Sequence, residues 1–237
     1  MPDYTRPDLL RLDYDTYRAM PAVANSDLSR LRDALEGRPP RASTPGAGSN
    51  SGALSFGTAF HTALLEPADY QPGQPGLNDT LVWWLVEGVK LNTEINRLLE
   101  LGTAEPSVLF TEPETGTLCK LRADLVVDAP GEPYTIIDFK TTLARDAEHF
   151  AWQCSTYDYD RQAAFYTDAL RAERFMLVGV QKVEPFGVFP VEVTPLMLDE
   201  GRQKYQRLLR LLQAPATAPA YRAEAVQAAA STILGTD

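Results

Sequence analysis

The sequence predicts an α/β fold, a mixed central sheet flanked by helices, with a helical N-terminal part. Three observations point to it. Apolar residues recur at helical spacing up to about Leu101, the pattern switches to alternation from Ser107, and helix and strand patterns then take turns to the end.

Each element has a local reason. Ser26 is placed as an N-cap for a helix from about Asp27 to Glu36, ended by Gly37 and the Pro39-Pro40 pair. Arg41 to Gly52 is rich in small residues and reads as a loop. Leu54 to Leu65 reads as a mostly buried helix stopped near Pro67, and Asp69 to Gly76 as a loop. Thr80 to Leu101 is helical in pattern, in one piece or in two around Gly88. Val108 to Phe110 is a strand, 113–116 a turn, and Leu118 to Val127 a half-buried strand with Leu118, Lys120, Arg122, Asp124 and Val126 on one face. Pro130-Gly131 turns the chain into a third strand, Tyr134 to Lys140. A helix follows over Asp160 to Ala172. The strands Phe175–Val183 and Val188–Val193 are then joined as a hairpin through Glu184 to Gly187. Thr194 and Pro195 cap and open a last helix to about Gln213. Beyond it lies a Pro/Ala hinge and a weak helix, Ala223 to Leu234.

These elements divide the chain into one domain, 1–213, with its core over about 54–213 and an N-terminal helical part, 1–53, carrying a flexible loop at 39–52. A C-terminal tail, 214–237, follows.

Composition narrows the class. A chain of 237 residues with 44% hydrophobic and 23% charged residues is that of an ordinary globular protein. No apolar run is long enough to span a membrane and no secretory h-region opens the chain, so a cytoplasmic location is expected. Two cysteines, Cys119 and Cys154, are too few for a disulfide scaffold. The net charge of -10 argues against a DNA-coating protein and only weakly against an enzyme acting on DNA, because an acidic chain can still carry a basic channel. P-loop, GxGxxG, GxSxG, HExxH and CxxC motifs are all absent, which removes support for the corresponding chemistries.

The chemistry concentrates at Ile136-Ile137-Asp138-Phe139-Lys140. Alternation puts Asp138 and Lys140 on one side with Ile136, and Ile137 and Phe139 on the other. An acid and a base on so apolar a strand are costly unless used. With Asp124 on the preceding strand they supply two carboxylates and an ammonium, a set suited to holding Mg2+ and hydrolysing a phosphodiester. The bland alternative is a surface Asp–Lys ion pair, and spacing alone favours it. Gln162 and Tyr166 share a helix face and could orient a water and a phosphate oxygen, or simply be solvated. His61, in an apolar helix, is either a satisfied core imidazole or a metal ligand. His149 reads as structural or surface. Glu105, before the first strand, offers a further carboxylate or is an exposed loop acid.

Together these segments resemble the PD-(D/E)xK nuclease superfamily, and more narrowly the catalytic domain of RecE-type phage and prophage exonucleases. The resemblance runs from about Met20 to Val193. It rests on Met20 to Ser29, Gly57 to Pro67 with its histidine, and Thr115 to Asp124 with the first aspartate. Ile137-Asp138-Phe139-Lys140-Thr141-Thr142, and Tyr157 to Tyr166 with its glutamine and tyrosine, complete it. Five motifs in order are far more specific than any one. The resemblance implies a restriction-endonuclease-like core and metal binding by His61, Asp124 and Asp138, with Mg2+ or Mn2+ as cofactor. It implies that Lys140 assists catalysis, that Gln162 and Tyr166 support the site, and that Glu105 acts as a further acid. It further implies a double-stranded DNA end degraded from the 5′ side, a homo-oligomeric ring, and a single-strand annealing protein as partner. Arg122-Ala123-Asp124 stands where the family often has Arg-Pro-Asp, for which only a local backbone change is expected. Two other functions remain open on the sequence. One is a module that binds nucleic acid or protein without cutting; the other is a nuclease with endonucleolytic or single-strand preference.

Overall fold

The computed structural model describes residues 6–38, 51–213 and 231–233. Residues 39–50 of the expected loop and most of the C-terminal tail, including all but a few residues of the weak helix, lie outside them, while Ser51 and Gly52, expected in that loop, are helical.

The N-terminal part holds α1 (Tyr14–Ala19) and α2 (Asn25–Leu35), followed by α3 (Ser51–Leu65), α4 (Asp79–Lys90) and α5 (Thr93–Leu101). Short strand β1 (Thr103–Ala104) leads to β2 (Ser107–Thr111), β3 (Leu118–Arg122), β4 (Leu125–Val127) and β5 (Thr135–Thr142). Next come α6 (Ala147–Thr156), α7 (Tyr159–Leu170), the hairpin β6 (Arg174–Gln181) and β7 (Val188–Glu192), and α8 (Pro195–Leu212). The main sheet has the order β1-β4-β5-β6-β7, and β2-β3 form a separate two-stranded sheet. β5 and β6 run parallel, joined through α6 and α7, and the other neighbours in the main sheet are antiparallel. The sheet is therefore mixed and flanked by helices, as the sequence predicts.

Two apolar clusters sandwich the sheet. On one face Ile136, Phe175 and Leu177 pack with α2, α6, α7 and α8 through Leu28, Phe150, Ala164, Phe165 and Leu209. On the other, Ile137, Phe139, Met176 and Val178 pack with α3, α4 and α5 through Phe60, Leu64, Leu85, Val89 and Leu98. The expected alternation in β5 is thus observed.

Several boundaries differ from expectation. α2 starts at Asn25, and Ser26 lies in its first turn; Asp27 caps it, its Oδ2 accepting the Ala24 N–H at 2.8 Å. The long helix over 80–101 breaks at Leu91-Asn92 and not at Gly88, because Asn92 Oδ1 accepts the Ile95 N–H at 3.1 Å and caps a new helix. α6 was not expected; Asp146 caps it, accepting the His149 N–H at 2.7 Å. Leu118 to Val127 is not one strand. It breaks at Ala123-Asp124, so β3 pairs with β2 while β4 joins the main sheet. The partner breaks at the same level: Glu105 has φ 51 and Pro106 follows it. Ala123 N–H donates to Pro106 O at 3.0 Å and Glu105 N–H to Asp124 O at 2.9 Å, so the kinked ribbon stays stitched.

α7 and α8 cross closely because Gly201 has no side chain. A Cβ there would meet the Asp160 carbonyl oxygen at 2.1 Å. Gly201→Ala forces the helices apart, and overpacking of this kind costs about 1–3 kcal/mol. A lowered melting temperature is expected, and an unchanged one would contradict this account of the crossing.

Candidate active site

The kink at Ala123-Asp124 creates the site. β4 pairs with β5 only over Thr135 to Ile137, so the β5 edge is left without a strand partner from Asp138 onward on that side. Buried backbone polar groups need partners. Two side chains supply them at Phe139. Asp124 Oδ2 accepts its N–H at 2.7 Å, and His61 Nε2 lies 3.0 Å from its carbonyl oxygen, which fixes Nε2 as the protonated, donating nitrogen. His61 Nδ1 then faces Asp124 Oδ1 at 3.5 Å. Asp124 reaches this position from the break between β3 and β4, a correction to its expected place within a strand. His61 comes from the last turns of α3.

His61, Glu105 and Asp124 present one ligand atom each, all within 4.8 Å of one another. Glu105 joins them from the kink before β2, where its backbone is left-handed, and Arg122 Nε donates to its Oε2 at 2.6 Å. Asp138 and Lys140 lie on the opposite side of β5 from Phe139, as alternation requires. Asp138 is 1% exposed. That burial excludes the surface ion pair that spacing alone favoured. Its Oδ1 accepts from Gln162 Nε2 at 2.6 Å. Its Oδ2 touches Lys140 Nζ at 2.5 Å, yet no well-directed hydrogen bond reaches that buried oxygen. Lys140 Nζ also sits 5.0 Å above the Tyr159 ring, a contact the sequence reading did not pick out. Tyr166 is buried and donates to the Arg122 carbonyl at 3.1 Å, tying α7 to the kink. His149, at the start of α6, has its Nε2 3.4 Å from Gln153 Nε2 and is not among the clustered ligand groups.

The electrostatics follow from burial and proximity. Burial pulls the His61 imidazole down, but the adjacent Asp124 carboxylate outweighs it and lifts the pKa to about 8. Asp124 is held below the usual carboxylate range, the His61 attraction and the Phe139 N–H overcoming its burial. Burial raises Asp138 to about 6 against the pull of Lys140. Burial and the Asp124 charge raise Glu105 despite its bond to Arg122. Lys140 is raised: burial works against its charge, but Asp138 and Asp124 prevail. These shifts set a pH dependence for the metal-free protein. His61 has a raised folded pKa, so its contribution to stability is complete below 6.5 and lost as pH rises through about 8. The loss is about 2 kcal/mol for a shift of this size. Asp138 adds a loss in the same direction between 3.8 and about 6. Melting temperatures in EDTA should fall between pH 6.5 and 8.5, and His61→Gln should flatten that decline. A level profile in the unaltered protein would contradict it.

The donor set fits a divalent cation. Two carboxylates and an imidazole nitrogen converge; Asp138, expected among the metal ligands, is not in this group, its Oδ1 being held by Gln162 and its Oδ2 lying against Lys140. Opposed ligands of an octahedral Mg2+ are about 4.2 Å apart, so small side-chain adjustments suffice for the three converging groups. Among the described residues this is the group of acids and histidines close enough to hold an ion. No helix of the described residues is long and apolar enough to cross a membrane.

A mixed sheet whose kinked edge gathers acids, a histidine and a lysine defines a nuclease-like α/β fold. The family profile of the "PDDEXK-like domain of unknown function (DUF3799)" matches residues 82–226, more than half of the chain, and the chain belongs to that family. The fold is shared with a "Putative exonuclease" from Eubacterium rectale, at 15% identity and a TM-score of 0.62, covering 91% of this chain and 94% of that one. A phage-related exonuclease from Haemophilus somnus 129PT is also similar, at 11% identity and a TM-score of 0.38, over 80% of this chain and 92% of that one. No curated protein matches the chain.

Proposed function

We propose that this protein is a metal-dependent DNA exonuclease of RecE type, hydrolysing phosphodiester bonds from double-stranded ends in the 5′ to 3′ direction during recombination. The observation that carries the reading is the convergence of His61, Glu105 and Asp124 beside the buried Asp138–Lys140 pair on one strand. The domain doing this is 1–213, with 214–237 as a tail.

His61, Asp124 and Asp138 are the residues that would hold Mg2+ or Mn2+, with Glu105 as a further acid in the same cluster. Imidazole among the donors favours tighter binding of Mn2+ than of Mg2+. Such an ion supplies Lewis-acid polarisation of the phosphate and a more acidic attacking water. Lys140 holds its ammonium where negative charge builds on the phosphate in the transition state. Its raised pKa keeps it charged at neutral pH. Gln162 fixes the orientation of Asp138, and Tyr159 covers the ammonium. Tyr166 steadies the kink that delivers Asp124. The fold neighbours and the family support a nuclease; a DNA-end substrate, an annealing-protein partner, ring assembly and cytoplasmic location belong to this proposal alone.

The polarity is tested with linear duplexes carrying a label at either the 5′ or the 3′ terminus, in Mg2+, in Mn2+ and in EDTA. Early, metal-dependent release of the 5′ label is expected. Early release of the 3′ label alone would reverse the polarity, and no release from folded protein in either metal would favour the binding-module function.

A further inference from the structure

The polar face of β3 is not a solvated face. Lys120 and Arg122 are two residues apart, so they point the same way, and both reach main-chain carbonyls of the N-terminal segment. Lys120 is 3% exposed, and its Nζ donates to the carbonyls of Tyr17, Arg18 and Met20 at 3.0, 3.0 and 2.7 Å. The backbone of β3 meets the same segment: Val23 N–H donates to Leu118 O at 3.0 Å, and Lys120 N–H to Val23 O at 2.9 Å. Arg122 Nη1 donates to the Leu12 carbonyl at 2.9 Å.

Arg122 differs from Lys120 in what its other nitrogens do. Nε donates to Glu105 Oε2 at 2.6 Å, and Nη2 lies 3.7 Å from Glu66 Oε2. Glu105 is therefore fixed twice. Asp124's own carbonyl holds its backbone N–H at 2.9 Å, in a left-handed conformation at φ 51 that a glutamate adopts only when its surroundings impose it. The guanidinium holds the side chain. A carboxylate with one oxygen on an arginine retains lone pairs for a cation, and Glu105 presents a ligand atom to His61 and Asp124.

We propose that Arg122 is a positioning residue that aims Glu105 at the metal-holding cluster while anchoring the N-terminal segment through Leu12, whereas Lys120 anchors that segment alone. This rests on the metal reading of the site given above. Outer partners of metal ligands typically change metal affinity by about 10- to 100-fold when replaced.

The test is calorimetric titration of Mn2+ into the unaltered protein and into the Arg122→Lys, Glu105→Gln, doubly substituted and Lys120→Met variants, with thermal melts confirming that each folds. Arg122→Lys keeps the charge but loses the planar fork. It is expected to weaken Mn2+ binding about 10- to 100-fold. In the Glu105→Gln background the same change should add less than about 3-fold, because coupled residues are non-additive. Lys120→Met should speed proteolysis before Val23 and leave Mn2+ affinity within about 3-fold, since its ammonium touches only the segment. Three outcomes would each overturn this role: Mn2+ affinity insensitive to Arg122→Lys, a full further loss when Glu105 is already glutamine, or an equal loss in Lys120→Met. If the unaltered protein binds no Mn2+, the metal reading itself fails and this role with it.

Discussion

Lys140→Ala is expected to slow phosphodiester cleavage by about 100- to 1,000-fold, the cost of removing one preorganised group that stabilises transition-state charge. The ammonium is well placed for that work. It lies 2.5 Å from Asp138 Oδ2, with 19% of its side chain exposed, so it borders the buried acid and still reaches solvent. Unfolding is not the expected cause of the loss. Asp138 already has a pKa of about 6 through burial, and without Lys140 it rises further, so that at neutral pH the acid takes a proton and no uncompensated charge is left buried. Metal-dependent cleavage rates measured beside thermal melts separate the two effects. Full activity in Lys140→Ala would remove this residue from the mechanism.

Asp124→Asn is expected to cost at least about 100-fold in Mn2+ affinity, beyond the range for outer partners, because it removes a charged donor from the cluster. The change is conservative elsewhere. The asparagine oxygen can still accept the Phe139 N–H that Asp124 Oδ2 accepts at 2.7 Å, so the β5 edge stays satisfied. A second consequence is independent of metal. Burial acts to lower the His61 pKa, and the Asp124 charge is what holds it at about 8. In Asp124→Asn the imidazole should titrate below 6.5. The chain has two histidines, so NMR titration resolves this directly, and a His61 pKa that stays near 8 would contradict the assigned pairing.

How much of this was legible in the sequence depends on whether the cause was local. The alternation Ile136 to Lys140 places Asp138 and Lys140 on one face without any tertiary information, and Thr194-Pro195 marks the start of α8 by capping chemistry alone. The break at Ala123-Asp124 was not legible, because ten alternating residues look like one strand whether or not their partner kinks. Only the pairing with Glu105-Pro106 reveals it. The same holds for β3: Lys120 and Arg122 read as a solvated face until the N-terminal segment is seen to cover them. α6 has little sequence signature, because Ala147 to Thr156 has a weak apolar stripe and its one strong signal is the Asp146 cap. In the site, His61 and Glu105 each looked bland alone, and the fold brings them to Asp124 from a different helix and loop.

The most direct test of the central claim is a time course of linear 5′-phosphorylated duplex DNA with the purified protein, in Mg2+ or Mn2+ and in EDTA, beside Lys140→Ala and a covalently closed circle. Metal-dependent loss of the linear duplex in the unaltered protein alone, with the circle intact, is the predicted result. A folded protein that degrades neither substrate in either metal, or that cuts the circle as readily as the linear duplex, would contradict it.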